Sequence, residues 1–225
     1  MNTTEPLKYG CFYHIYNRGI ASCDLFREAD NYEHFLGLYD KYISPVAETF
    51  AWVLMPNHFH LLLRVKEKEE IGFFPPKPLS GSATTERVDM ATTPSAVIYP
   101  DGGWAAKKYK PENQFSHLFN SYAQAFNKRF DRTGSLFQHP FKRKLIDNEQ
   151  YLKQVILYIH NNPVHHGFCS HPLEYPWSSY LTCISVKPTW LKREAVLGWF
   201  DSEANFRLVH EDKIEIEKIE RWLEV

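Results

Sequence analysis

The pattern at residues 49–65, TFAWVLMPNHFHLLLRV, constrains the fold more than any other part of this chain. Two runs rich in apolar residues, 49–55 and 58–65, are separated only by Pro56 and Asn57. Such runs around a two-residue turn are typical of a β-hairpin. The sequence therefore predicts two antiparallel strands that pair directly.

The second of these strands carries two histidines, His58 and His60, on one face. Side chains alternate along a strand, so the odd positions from 59 to 65, all apolar, share the opposite face. The Cα atoms of the two histidines are expected roughly 6.5–7 Å apart, which lets two imidazoles approach one metal ion. With 11 histidines in the chain, chance can also produce such a pair. Taken alone, the pair leaves metal binding and a purely structural role open.

The elements around the hairpin predict an α+β fold. A strand over residues 9–17 and a helix after a capping-box pattern at Asp30 and Glu33 precede it. A helix from 114 and a strand over 135–146 follow it, after a long insertion at 66–113 that holds six of the 14 prolines. The order β-α-β-β-α-β is the ferredoxin-like pattern, an antiparallel sheet with helices on one face.

A further helix should follow that unit. Asp147 can cap it and Pro163 should end it. Its predicted core stripe consists of Leu152, Val155, Ile156 and Ile159. We expect residues 1–181 to form one domain, and residues 182–225 to form a C-terminal helical extension with one or two helices after 189.

Charge and composition narrow the functional classes. Residues 104–144 contain nine Lys or Arg against two acids, whereas residues 201–225 contain eight acids against four bases. A basic middle segment indicates either a polyanion-binding surface or a solvated helix face. The four cysteines are scattered without a CxxC pair, and neither a signal peptide nor a membrane-spanning run is evident. We therefore expect a soluble intracellular protein.

The segment 151–167, YLKQVILYIHNNPVHHG, carries a second candidate for chemistry. Tyr158 and Asn162 are four residues apart and so are neighbours on one helical flank. A phenol there could attack phosphorus while the Asn162 amide oxygen supplies a third metal ligand. The alternative is a half-buried aromatic and an ordinary residue near a helix end.

A resemblance to a known family favours the catalytic alternative. The blocks YHIYNRGI, LFREADNYEHFL, LMPNHFHLLLR, FNKRFDRTGSLFQHPFKRKLI, YLKQVILYIHNNPV and YPWSSY occur in the order and spacing of the single-tyrosine HUH transposases, especially the REP-associated tyrosine transposases. The resemblance spans roughly residues 9–181. It implies that His58, His60 and Asn162 bind Mg²⁺ or Mn²⁺, and that Tyr158 is the nucleophile. His160 is not carried over.

The family also implies a substrate and a reaction. Relatives cleave and rejoin single-stranded DNA at hairpin-forming ends through a covalent 5′-phosphotyrosine. We expect Lys142, Arg143 and Lys144 to contact DNA, with Arg18 as a second contact. Two departures are Pro140, where many relatives have arginine, and the pair at 165–166, where relatives have small residues.

Several alternatives remain open from sequence. A single-stranded nucleic-acid-binding protein of the same fold would need no nucleophile. A domesticated relative that nicks DNA for its host would share every residue named above. The active form could be a monomer or a homodimer, and we expect it in the cytoplasm of a prokaryote, associated with the nucleoid.

Overall fold

The βαββαβ order predicted from the sequence is present in the computed structural model, which describes residues 5–72, 108–211 and 216–223. The unit consists of β1 (Phe12–Arg18), α1 (Ala29–Ile43), β2 (Ala47–Met55), β3 (His58–Val65), α2 (Pro111–Arg129) and β4 (Lys142–Ile146).

The four strands form one sheet in the order β2-β3-β1-β4, and every neighbouring pair is antiparallel. The hairpin is confirmed, because Met55 pairs with His58 across the Pro56–Asn57 turn. β1 lies between β3 and β4, so Tyr16 is paired with His60 on one side and with Lys142 on the other. This interleaved order places the middle of β1 beside the histidine strand.

Helices α1 and α2 cover the apolar face of the sheet. Phe59 of β3 is fully buried there, and its ring centroid lies 5.3 Å from that of Phe35 on α1 and 5.8 Å from that of Phe119 on α2. Burial of such aromatic side chains is the main favourable contribution to folding. The apolar alternation of β3 thus decides which face the two helices occupy.

Helix α3 (Glu149–His165) covers the opposite face. All four residues of the predicted core stripe are buried. The predicted ends of this helix are wrong, since Asn148 rather than Asp147 is the N-cap and accepts a hydrogen bond from the Tyr151 amide at 3.1 Å. Pro163 lies inside the helix, which continues for two residues and closes with the His166 amide donating to the Asn162 carbonyl at 3.0 Å.

Two further details differ from the sequence predictions, and a third prediction is mostly untested. The capping box of α1 uses Glu28 and Asn31, not Asp30 and Glu33. The predicted strand over 135–146 is regular only from Lys142, and before it Phe137 makes a single bridge to Gly19. Most of the predicted insertion, residues 73–107, lies outside the described residues.

The C-terminal part of the described chain is helical. α4 (Tyr180–Cys183) is followed by α5 (Arg193–Trp199), α6 (Glu203–Glu211) and α7 (Ile216–Leu223), so three helices follow residue 189 where one or two were predicted. α7 packs on α3, and its Trp222 ring stacks on Tyr151 with centroids 3.9 Å apart. Among residues 5–72, 108–211 and 216–223, no helix has both the length and the apolar character needed to cross a bilayer.

Candidate active site

The structure brings together the four residues predicted to carry the chemistry. Alternation along β3 directs His58 and His60 toward α3, which presents Tyr158 and Asn162 one turn apart. The Tyr158 ring meets the His60 ring edge-on, with centroids 5.3 Å apart and planes at 84°. Asn162 Oδ1 lies 3.1 Å from His58 Nε2. A strand and a helix about a hundred residues apart in sequence thus form one buried polar cluster.

His58 has an amide oxygen beside each ring nitrogen. Its Nδ1 lies 2.7 Å from Asn57 Oδ1 and its Nε2 lies 3.1 Å from Asn162 Oδ1. Burial lowers the pKa of His58 to about 4, so the ring is neutral and carries a single proton. That proton lies either on Nε2, which then donates to Asn162 Oδ1, or on Nδ1, which then donates to Asn57 Oδ1. In the second tautomer the lone pair of Nε2 faces the Asn162 oxygen.

Two lone pairs that face each other fit a shared cation. Two ligand atoms at right angles around a Mg²⁺-sized ion lie about 3 Å apart, since each bond is about 2.1 Å long. The 3.1 Å between His58 Nε2 and Asn162 Oδ1 agrees with this separation. Asn162 is only 1% exposed, and its Nδ2 has no hydrogen-bond partner among the described residues. Without an ion the same contact is a hydrogen bond, either from Nε2–H to the Asn162 oxygen or from Nδ2 of the turned amide to Nε2.

The donor set is two imidazoles and one amide. In the described part of the chain, no group of three His, Cys, Asp or Glu side chains is arranged to hold a metal. A site here therefore depends on the neutral Asn162 oxygen as the third protein ligand, a donor that hard divalent cations accept together with water and phosphate oxygens.

His14 of β1 is a member of the cluster that the sequence reasoning missed. It is fully buried, and its Nε2 lies 3.0 Å from His60 Nδ1. Burial lowers the pKa of His14 to about 3 and that of His60 well below its usual value, so one proton lies between two neutral rings. When His60 Nδ1 donates it, His60 Nε2 is left as a free ligand atom. The alternation of YHIYN, with His14 and Tyr16 on one strand face, was the signal available.

Tyr158 is buried, with 2% of its surface exposed. Burial raises the pKa of its phenol, and the Glu220 carboxylate of α7 raises it further. The Arg18 guanidinium acts in the opposite direction. The phenol is therefore protonated near neutral pH, and any attack by its oxygen requires local positive charge.

The four predicted DNA-contacting residues do not lie on one surface. Arg18 ends β1 opposite His58, is exposed, and makes no ion pair with any side chain that the structure describes. Lys142 and Lys144 pair with Tyr16 and His14, so they share the histidine face of the sheet. Arg143 points to the other face, where its guanidinium lies 4.4 Å from the Phe141 ring centroid. Strand alternation thus separates Arg143 from the site.

The remaining histidines of the helix differ in their surroundings. His160 faces away from the cluster, because its Nδ1 lies 2.9 Å from His210 Nε2 and its Nε2 lies 2.8 Å from Ser179 Oγ. His166 is exposed and its ring centroid is 5.2 Å from that of His58. The departure from small residues at 165–166 therefore places a further imidazole, that of His166, beside the cluster.

Comparisons with known proteins agree with this architecture at the level of fold. The sequence matches no family model and no curated protein at a significant level. The structure is similar to that of a REP-associated tyrosine transposase bound to a REP hairpin, with a TM-score of 0.54 and 13% identity over 84% of this chain and 88% of that chain. The chain thus has the α+β fold of a tyrosine transposase, with additional C-terminal helices.

Proposed function

We propose that this protein cleaves and rejoins single-stranded DNA through a covalent 5′-phosphotyrosine at Tyr158. The observation that carries the proposal is the meeting of His58, His60 and Asn162 with the Tyr158 phenol in one cluster between β3 and α3. A nucleic-acid-binding sheet of the same fold needs neither buried imidazoles nor this tyrosine. The similarity to a hairpin-bound tyrosine transposase supports hairpin-forming DNA as the partner.

The reaction is a balanced exchange of one phosphodiester for another. The Tyr158 oxygen forms a bond to phosphorus as the bond from phosphorus to the 3′-oxygen breaks. The phenol loses its proton and the departing 3′-oxygen gains one, so no oxidant or other reactant is needed. Because the bond energy is kept in the phosphotyrosine, a 3′-hydroxyl can later reverse the step and join two strands.

The residues present fit Mg²⁺ or Mn²⁺, with His58 Nε2, His60 Nε2 and Asn162 Oδ1 as the protein ligands. A divalent ion bound there would polarise the scissile phosphate and offset the charge that develops on its oxygens. His14 and Asn57 orient the two imidazoles through their Nδ1 atoms. The positive charge of Arg18 favours the ionised form of the phenol.

The positive side chains near the cluster are suited to the DNA backbone. Arg18 lies at the site itself, and Lys142 and Lys144 extend the positive charge along the edge strand β4 on the same face. Phosphate contacts of this kind position a strand without reading its bases. The four central groups all come from one copy of the chain, so a single copy can supply them; whether a homodimer forms stays a prediction.

The test is an adduct assay with a DNA hairpin that carries single-stranded flanks, in Mn²⁺ or Mg²⁺. We expect a band that resists denaturing electrophoresis for the wild type. Tyr158→Phe should abolish it and leave DNA binding intact. Tyr151→Phe, two turns earlier on the same helix, is the matched control and should form the adduct.

Two results would contradict the proposal. An adduct that persists in Tyr158→Phe would show that another residue is the nucleophile. A wild-type protein that binds the hairpin but never forms an adduct, with or without either metal, would favour the alternative of a non-catalytic nucleic-acid-binding protein.

A further inference from the structure

A cleft of about 440 Å³ opens beside His58. Its volume lies in the range of about 300–1,000 Å³ that is typical of small-molecule sites. One wall comes from the end of β1 and the β2–β3 turn, and the other comes from the end of α3. Its lining residues are Arg18, Asp24, Pro56, Asn57, His58, His166 and Phe168.

The end of α3 holds Phe168 at this cleft through a Schellman motif. Gly167 adopts a left-handed conformation with φ of 73°, and its amide donates to the Val164 carbonyl at 3.0 Å. The Phe168 amide donates to the Pro163 carbonyl at 2.9 Å. These two bonds are the pattern that closes a helix with glycine, and they fix the direction in which the next side chain leaves. Phe168 is therefore tied to the same helix as Tyr158.

Phe168 is exposed, with 53% of its surface accessible. Every other phenylalanine in the described ranges is buried or half-buried. Its ring meets that of Tyr175 at a centroid distance of 6.3 Å, and the Tyr175 hydroxyl is held by a 2.8 Å bond to the Leu54 carbonyl. The aromatic ring is supported from the protein side and accessible from the cleft.

Opposite charges line the same cleft without pairing. Arg18 and Asp24 are both exposed, and neither forms an ion pair with a side chain that the structure describes. One guanidinium, one aromatic face and one carboxylate match the phosphate and the base of a nucleotide. The guanidinium suits a phosphate, the ring suits a base, and the carboxylate accepts from an exocyclic amino group.

We propose that this cleft binds the unpaired nucleotide next to the scissile phosphate, with its base stacked on Phe168. This inference rests on the function proposed above and adds a base preference to it. Because a carboxylate only accepts hydrogen bonds, Asp24 favours a base with an exocyclic amino group, namely cytosine, adenine or guanine, over thymine, whose single donor N3–H lies between two carbonyl oxygens that repel a carboxylate. This base preference comes from a residue beside the catalytic cluster and not from a residue within it.

The experiment uses the full chain with Tyr158→Phe, so that binding is measured without cleavage. A fluorescent aminopurine is placed in turn at each position of the single strand that flanks a DNA hairpin. We expect its fluorescence to be quenched on binding at one position. Phe168→Ala should remove that quenching and weaken binding about tenfold, within the range known for base stacking on aromatic side chains. Phe168→Tyr should retain both effects.

Two further variants complete the test. Leu208→Ala, which truncates another exposed apolar side chain on α6, should bind as the parent does. Thymine at the quenched position should weaken binding to the parent protein, and Asp24→Ala should abolish this difference between bases. If Phe168→Ala binds and quenches like the parent, or if Asp24→Ala keeps the base preference, the proposal is wrong.

The results separate this proposal from the catalytic one. If the wild type forms no adduct while Tyr158→Phe still quenches the aminopurine at one position, the phosphotyrosine reaction is refuted and the cleft remains a base-binding site. An adduct that forms normally, with no position that responds to Phe168→Ala, would refute the cleft and leave the reaction.

Discussion

The two faces of the sheet bury different kinds of side chain, apolar on one and polar on the other, although the same strands contribute to both. On one face Phe59 packs against Phe35 and Phe119 in an aromatic core. On the other face its neighbour His60 packs against His14 and Tyr158, in a cluster of neutral imidazoles and a buried phenol. Burial stabilises the first set, whereas it disfavours the charged forms of the second.

The side chains that stabilise the fold and the side chains suited to chemistry therefore lie on opposite faces of the sheet. An apolar side chain at position 60 would fill the same interior without the desolvation that lowers the pKa of His60. Among the described residues, unpartnered buried polar atoms occur on both sides, with Asn162 Nδ2 and His14 Nδ1 on one face and Gln114 Nε2 and Arg143 Nε on the other, so it is the desolvated histidines that distinguish the α3 face. The α3 side of the sheet therefore keeps groups whose contribution is not to stability.

The largest contrast between the faces is expected on acidification of the metal-free protein. The pKa values of His14 and His58 in the fold are about 3 and about 4, below the unfolded value of about 6.5, so the unfolded state binds more protons. The stability is fully present above pH 6.5 and is lost as the pH falls toward 4. For His58 alone the loss is about 3 kcal/mol at about 1.4 kcal/mol per pKa unit. Urea denaturation at several pH values measures it.

A variant isolates the histidine contribution to this pH dependence. His58→Gln should show a shallower decline of unfolding free energy between pH 6.5 and 4, because one titrating group is gone. Phe59→Leu should be less stable at every pH but should decline with the wild-type slope. A wild-type stability that does not change over this interval would contradict the prediction.

The next prediction compares the loss of unfolding free energy on substitution of two adjacent residues, Phe59 and His60. Phe59→Ala should lower the free energy of unfolding by about 3–5 kcal/mol, the usual cost of removing a buried aromatic side chain. His60→Leu should cost less, about 1–3 kcal/mol, because it keeps an apolar volume and mainly leaves His14 without its partner. Denaturant unfolding at neutral pH gives both values, and equal losses would show that His60 is as structural as Phe59.

A smaller effect should follow from His14, which we expect to orient His60. His14→Phe keeps the ring but removes the acceptor, and loss of such a supporting bond weakens metal affinity about 10–100-fold. Calorimetric titration with Mn²⁺ measures the dissociation constant. His34→Gln, an exposed histidine on α1, is the control and should bind as the wild type does. An unchanged constant in His14→Phe would remove His14 from the site.

The smallest expected effect is on the salt dependence of DNA binding. It concerns the edge strand β4, whose successive side chains lie on opposite faces of the sheet. Lys142→Gln should reduce the slope of log binding constant against log salt by about 0.7 on single-stranded DNA, the change expected for one phosphate contact. Arg143→Gln should leave the slope unchanged, because its side chain lies against Phe141 on the other face. Binding titrations over a range of salt concentrations test both, and a larger change for Arg143→Gln would reverse the assignment.

Much of the architecture was predictable because its signals are local. The hairpin follows from two apolar runs around Pro56 and Asn57, and the buried stripe of α3 follows from helical spacing. Helix ends were less predictable. Asp147 and Asn148 are adjacent residues that can both cap, and the backbone conformation of the folded chain decides between them. Pro163 was tolerated because its lost amide is a single bond near the end of a helix held by tertiary packing.

By itself the sequence determined which side chains share a face, since strand and helix periodicity set that directly. It placed His58 with His60, and Tyr158 with Asn162, before any tertiary contact was known. Only the tertiary structure decided that these two pairs meet, that His14 and Glu220 join them, and that Lys142 but not Arg143 lies on their side. The physical reason is that strand order and register depend on contacts between residues far apart in the chain, which no local period encodes.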